Sequence, residues 1–219
     1  MFRIILNFHG IGPITRKIYN GEHNCWLDQD FFEGVIDLVR GQEHVRLTFD
    51  DGNASDIEIV VPALLRRGLK ATFFICSGRL GQPTFLNKAQ VRELQAHGMS
   101  IGSHGVSHLS WCHQHATRLC EELEGSRQIL EEVCGSTVDA AACPFGAYDR
   151  TVLSGLRHAG YRFVYTSDGG VSAANHWLRA RNTVTRSMTI DSVALLIQRG
   201  PGTWKQTLIR ARQIVKRLW

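Results

Sequence analysis

Residues 45–75 read VRLTFDDGNASDIEIVVPALLRRGLKATFFI, and the fold follows from this stretch. Val45–Phe49 is a short β-branched and aromatic run bounded by turn formers, as expected of a buried strand. Ser55–Arg67 then carries Ile59, Val60, Ala63 and Leu64 at helical spacing, and Gly68 follows as a C-cap. Lys70–Ile75 is a second strand-like run. Strand, helix and strand joined by short links make a β-α-β unit, whose two strands run parallel.

The same alternation extends in both directions. Further strands are expected at Arg3–Phe8, Met99–Gly102, Asp139–Ala142 and Arg162–Thr166, with a weaker one at Trp177–Val184. Helical patterns fall at Asp28–Val39, Asn87–His97, Gln114–Val133 and Asp149–His158. Strand and helix repeated some six times give an α/β protein with a parallel sheet and outer helices. Carried on to seven or eight units, the pattern closes into a barrel or distorted barrel. No composition shift, low-complexity stretch or fixed-period repeat divides the 219 residues, so residues 1–219 are expected to form one domain.

In such barrels the chemistry gathers where the strands end. His9 follows the first strand, Asp50 and Asp51 the second, and His104 the fourth. Pro144-Phe145-Gly146 follows the fifth strand, and Asp168-Gly169-Gly170 the sixth. Two adjacent carboxylates at a buried strand end repel unless a cation sits beside them. Taken alone, Asp51-Gly52 also reads as a turn leading to a helix cap at Ser55 or Asp56. His104-Gly105-Val106-Ser107-His108 has His-x-x-x-His spacing, so one helical turn would bring both imidazoles to one side. Two imidazoles and one carboxylate form an open catalytic metal set. The Pro144–Gly146 turn can aim a backbone N–H at an oxyanion, or simply join a strand to a helix capped by Asp149.

The runs Thr48-Phe49-Asp50-Asp51-Gly52, Ser103-His104-Gly105-Val106-Ser107-His108 and Cys143-Pro144-Phe145-Gly146-Ala147-Tyr148-Asp149 resemble the NodB-type polysaccharide deacetylases of carbohydrate esterase family four. The resemblance covers roughly Leu6 to Arg181, in the family's order. It implies a distorted (β/α) barrel of about seven parallel strands. It further implies that Asp51, His104 and His108 hold a divalent metal, zinc by ligand chemistry, with cobalt, nickel or iron admitted by the same set. Asp50 would be the base for a metal-activated water, and the Phe145 N–H would steady the oxyanion. The implied reaction is N-deacetylation of an N-acetylated amino-sugar saccharide or polysaccharide. Hydrolysis of an O-acetyl ester on a glycan, or a silent glycan-binding protein, are the competing functions.

The chain departs from the family pattern in two respects. The late Leu-His motif that usually supplies the acid is missing, since no His follows His176. Ala140, Ala141 and Ala142 stand where an Arg usually begins the third motif. His9, in Asn7-Phe8-His9-Gly10, is the substitute acid. It resembles the N-terminal segment of the branch that includes poly-N-acetylglucosamine deacetylases. Asp168 is expected to orient His9 or to bind sugar hydroxyls. Arg181, in Trp177-Leu178-Arg179-Ala180-Arg181, resembles that branch's Pro-Arg segment, which implies pairing with a site carboxylate, with Arg179 the alternative. Trp26 and Trp111 suit either sugar stacking or core packing. His113 and His115 read as solvated surface.

The formal charge of +5 comes without a Lys/Arg run in the body of the chain, so nucleic acid is not an expected partner. The six cysteines include no Cys-x-x-Cys pair and read as scattered thiols in a reducing compartment. Residues 1–8 are too short and too soon polar for a secretion signal, so a cytoplasmic location is expected. Residues 203–219 form an amphipathic pattern. Trp204, Leu208, Ala211, Val215 and Leu218 lie on one face, and Lys205, Arg210, Arg212, Lys216 and Arg217 on the other. Such a helix packs on the barrel or makes peripheral contact with anionic membrane at its inner face.

Overall fold

The computed structural model describes residues 2–18, 21–173, 175–200, 207, 209, 211 and 213–216. Six parallel strands lie side by side in chain order: β1 (Phe2–Phe8), β2 (Val45–Asp51), β3 (Ala71–Ile75), β4 (Ser100–Ser103), β5 (Ala140–Ala142) and β6 (Phe163–Thr166). A short β7 (Ser172–Ala173) pairs antiparallel with the start of β1. The weak strand expected at Trp177–Val184 forms two pieces, β8 (Leu178–Ala180) and β9 (Asn182–Thr183), on either side of Arg181. β8 pairs with β6, and β9 pairs with β1 through Leu6↔Asn182 and Asn7↔Thr183. One chain segment thus bridges the first and last strands and closes a seven-membered barrel.

Alternation along each strand sorts the side chains. Outward residues Leu6 and Phe8, Leu47 and Phe49, and Phe73 and Ile75 join the main core beneath the helices. There Phe8, Phe49 and Phe73 stack in a row, with ring centroids 5.1 and 5.0 Å apart. Each such aromatic pair adds about 0.5–1.5 kcal/mol beyond area burial. Inward residues Ile5, Phe74, Ala140, Ala142 and Tyr165 form a separate apolar plug inside the barrel. Above the plug the inward positions are Asn7, Asp50 and Arg181, all buried. Below it Arg3, Arg46 and Arg179 surround the opposite mouth with Lys70.

The helices cover the outside. α1 (Gln29–Val39) is capped by the Asp28 side chain, which accepts from the Asp30 N–H. α2 (Val61–Leu65) continues a wide helical turn at Asp56–Val60. α3 (Lys88–Ala96) opens with a reciprocal Asn87–Gln90 capping box. α4 (Ala116–Cys120) and α5 (Ser126–Cys134) are joined by a second wide turn at Glu121–Gly125, so the long expected helix is one rod with a bulge. α6 (Arg150–His158) starts at the Asp149 cap. α7 (Ile190–Arg199), which no sequence expectation covered, begins at a Thr189–Ser192 capping box and buries Val193 and Ile197. Among the described residues no helix is long and apolar enough to cross a membrane.

Candidate active site

Asp50 points into the barrel by strand alternation, so Asp51 would point out. The Asp51 backbone instead adopts φ +80°, and Gly52 follows at φ +74°. This left-handed pair swings the second carboxylate back over the rim. Holding a non-glycine residue there costs about 1–3 kcal/mol, and such strain gathers at functional sites. His108 (φ +53°) and Phe145 (φ +59°) carry the same strain and line the same cavity.

His104 and His108 do converge, with ring centroids 5.1 Å apart, but not by a helical turn. Residues 104–108 form a loop, and the helical reading of the His-x-x-x-His spacing is corrected. The loop turns at Gly105 (φ +79°), where an added Cβ would lie 2.6 Å from the Glu122 carboxylate. Glu122, fully buried in the bulge between α4 and α5, accepts the Val106 and Ser107 N–H groups at 2.8 and 3.1 Å. One helical turn on, the Ser126 hydroxyl donates to the Gly105 carbonyl at 2.9 Å. Two side chains of one helix therefore clamp the loop that carries both imidazoles.

One oxygen or nitrogen from each of Asp51, His104 and His108 lies within 4.8 Å of the others. His104 Nδ1 sits 2.8 Å from the Ala142 carbonyl, which fixes Nδ1 as the protonated nitrogen and leaves Nε2 as a lone-pair donor. His108 Nε2 is 3.1 Å from Asp51 Oδ1. Asp51 Oδ1 is buried and, among the described residues, accepts no hydrogen bond. Burial lowers the pKa of both imidazoles, that of His108 to about 4, despite the pull of the carboxylates. Neutral imidazoles beside an orphaned carboxylate oxygen fit a divalent cation.

Asp50 lies next to this trio in a different environment. Arg181 Nη1 and Nη2 donate to its two oxygens at 2.6 and 2.8 Å, and Asn7 Nδ2 donates at 3.0 Å. Burial pushes the Asp50 pKa up, but the Arg181 guanidinium outweighs it and holds the carboxyl well below the usual range. His9 Nε2 and His104 Nε2 each stand 3.9 Å from Asp50 Oδ2. Arg179, the alternative to Arg181, is one inward position lower and donates to the Tyr165 hydroxyl at 2.9 Å. The Phe145 ring rests on His108, centroids 4.7 Å apart. The cavity above these groups measures about 610 Å³ and is also lined by Cys25, Arg79, Ser107 and Ser167.

Asp168 is held away from His9 by partners of its own. It accepts from Tyr148, Thr166 and Lys216, at 2.8, 2.8 and 2.6 Å, rather than orienting His9, and the cavity lining passes through Ser167 instead. Lys216 also donates to the Gly146 carbonyl at 2.9 Å. Of the C-terminal pattern, Trp204, Lys205, Leu208, Arg210, Arg212, Arg217, Leu218 and Trp219 lie outside the described residues. The described positions are helical and dock through Lys216 and through Ile209, which lies against Gly169 and Gly170. Ala211 and Val215, on the expected apolar face, are exposed. Trp26 and Trp111 are buried, 5% and 1% exposed, which leaves neither ring face for a sugar. His113 and His115 are exposed, as expected.

Asn7, Arg79, Glu122 and Ser126 belong to no motif. Glu122 and Ser126 left one signal: polar residues four apart on the face that also carries Leu119, Leu123 and Leu130. Arg79, whose Nη1 is 3.5 Å from Asp51 Oδ1, left none.

Barrel and rim present a candidate cation site of two histidines and one carboxylate, with a second carboxylate beside it. The sequence model of the family described as "Polysaccharide deacetylase" matches residues 38–164, over half of the chain, and the chain belongs to that family. It is a carbohydrate deacetylase by that membership. The YxkH protein of Bacillus subtilis (strain 168) is 26% identical over 82% of this chain and 70% of its own length. Peptidoglycan-N-acetylglucosamine deacetylase PgdA of Listeria monocytogenes is 27% identical over 53% of this chain, which spans only 24% of that protein. Among solved structures, the Streptococcus pyogenes deacetylase PplD in complex with acetate superposes with a TM-score of 0.78 at 22% identity, covering 90% of this chain and 99% of that one. IcaB from Ammonifex degensii gives 0.72 at 22% identity, over 89% and 96%. These two likenesses bear on the fold.

Proposed function

We propose that the chain removes the acetyl group from an N-acetylated amino-sugar saccharide by direct hydrolysis, with a divalent cation held by Asp51, His104 and His108. The observation that carries this reading is the pairing of an unsatisfied, buried Asp51 oxygen and two neutral imidazoles with a separately held Asp50. A cation bound there supplies Lewis acidity, polarising the acetyl carbonyl and bringing the pKa of a water down to about 7.

The rest is the work of the chain's own side chains. Arg181 keeps Asp50 ionised and fixes both its oxygens, so the carboxylate meets the attacking water in one orientation. Asp50 accepts the proton as the new C–O bond forms. Phe145 lines the cavity on a left-handed turn, and its backbone N–H is the donor to the developing oxyanion. His9, 3.9 Å from Asp50, takes up that proton and delivers it to the nitrogen as the C–N bond breaks. Acetate and a free amine leave. An amine is a poor leaving group until protonated, so the reading needs an acid, and His9 is the imidazole beside Asp50 that the donor set does not use. An O-acetyl ester would need that acid less.

Zinc is the expected cation, and cobalt, nickel or iron suit the same donors. The proposal extends to a cytoplasmic protein with peripheral contact to anionic membrane. Exposed Ile214 and Val215 on the C-terminal helix support that contact. Equal binding to anionic vesicles with and without the residues after 202 would sink it. For the reaction, the deciding experiment compares metal-reconstituted protein on N-acetylated oligosaccharides and on an O-acetylated glycan. Preferred amide cleavage is expected; cleavage of the ester alone would replace this reading with the esterase one.

A further inference from the structure

The lower mouth of the barrel, at the opposite end from the donor set, holds a second cavity of about 300 Å³. Arg3, Arg46, Lys70 and Arg179 line it, and no carboxylate does. Arg3, Arg46 and Arg179 arise from the same inward alternation that supplies Asn7, Asp50 and Arg181 above, four residues further down β1 and β2 and two residues before Arg181. The apolar plug of Ile5, Phe74 and Tyr165 separates the two ends. Like charges gathered at a narrow mouth repel, and among the described residues no carboxylate of the lining offsets them. Arg46 records the cost: burial and then the charge of Arg3 lower its pKa from the usual arginine value.

Two buried groups turn this from a basic surface into a built pocket. Arg179 is only 9% exposed, its guanidinium stacked 3.7 Å over the Phe163 ring, so its charge is fixed in position. Ser172, on the short antiparallel β7, is 4% exposed, lines the cavity, and its hydroxyl has no hydrogen-bond partner among the described residues. A buried hydroxyl without a partner keeps its full desolvation cost, so its natural complement is a ligand acceptor. Planar guanidiniums and a hydroxyl donor are the groups that recognise tetrahedral oxyanions.

We infer that the lower mouth binds a phosphate-type oxyanion, free or as the terminal group of a small ester, held by Arg3, Arg46, Lys70, Arg179 and the Ser172 hydroxyl. The anion would neutralise the cationic ring and close the barrel's lower end, so it would raise thermal stability by linkage. This inference is independent of the reaction at the upper rim.

The test is calorimetric titration of the metal-loaded protein with inorganic phosphate and, separately, with glycerol 3-phosphate, at fixed chloride. Saturable one-to-one binding of either is expected, and the tighter of the two names the source. The Arg3→Gln/Arg46→Gln double variant should bind at least tenfold more weakly, while Asp51→Asn at the upper rim should bind as the parent does. Should the double variant fail to fold by circular dichroism, Lys70→Gln on the exposed lip is read in its place, with the same expectation. Absence of saturable binding of both ligands would overturn the inference. So would binding that survives the lower-mouth variant, or binding lost with Asp51→Asn.

Discussion

Arg181 grips both oxygens of Asp50 across 131 residues of sequence, at 2.6 and 2.8 Å, in a pair with almost no solvent contact. Arg181 is also the residue at which the seventh strand switches from β6 to β1. Barrel closure by the backbone and the ionisation of the proposed base by the side chain therefore meet at one residue.

Arg181→Gln should destabilise the fold by about 3–5 kcal/mol, because it leaves a buried carboxylate unpaired. Chemical denaturation measures this. Adding Asp50→Asn should recover part of the loss, since the orphaned charge is removed. Strictly additive losses would show that the pair contributes little beyond its separate parts.

The clamp on the 104–108 loop predicts a metal phenotype from a residue that touches no donor atom. Glu122→Gln exchanges one carboxylate acceptor for an amide, and cation affinity should fall about tenfold, in the range usual for groups that support ligands. Competition against a chelator measures it. Affinity equal to the parent protein would mean that the loop holds its shape without Glu122.

Asp56 predicts the pH behaviour. It is fully buried, and among the described residues neither carboxylate oxygen finds a partner. Burial first, then the charges of Asp51 and Asp50, raise its pKa well above 3.8. A raised pKa means that the folded state binds the proton more tightly than the unfolded chain. This contribution is complete below about pH 3.8 and is lost progressively as pH rises toward the folded value. Asp56→Asn should therefore be more stable than the parent at neutral pH, with a flatter dependence on pH above 4. Thermal melts from pH 4 to 8 read it; parallel curves for the two proteins would contradict the assignment.

His9→Ala separates acid catalysis from structure. Turnover of an N-acetylated oligosaccharide should drop about 10²–10⁴-fold, the usual worth of a positioned acid, with a much smaller effect on an acetyl ester. Equal effects on the two substrates would remove His9 from the proton path.

Much of this was legible in the sequence for physical reasons. The strands bury both faces, so they read as apolar runs, and the turn formers and chemically competent residues mark one rim. Asp50, Asp51, His104 and His108 are legible that way, Arg181 only through the family resemblance, and the structure brings all five together. The local backbone was not legible. His104 and His108 meet on a left-handed loop rather than a helical turn, and spacing does not distinguish the two. Glu122 was hidden because a buried carboxylate on a helix looks like any surface glutamate until its partners, the Val106 and Ser107 N–H groups, are known. Asp168 looked like a rim group and is one, but Lys216, Tyr148 and Thr166 occupy its oxygens. Those partners come from distant segments, which no local pattern encodes.

The most direct test of the central claim is metal content and turnover of Asp50→Asn measured on one preparation. The account predicts about one divalent cation per chain, as in the parent protein, with turnover of an N-acetylated oligosaccharide lost. Parent-level turnover, or loss of the cation along with the activity, would contradict the separation of a metal-holding Asp51 from a proton-accepting Asp50.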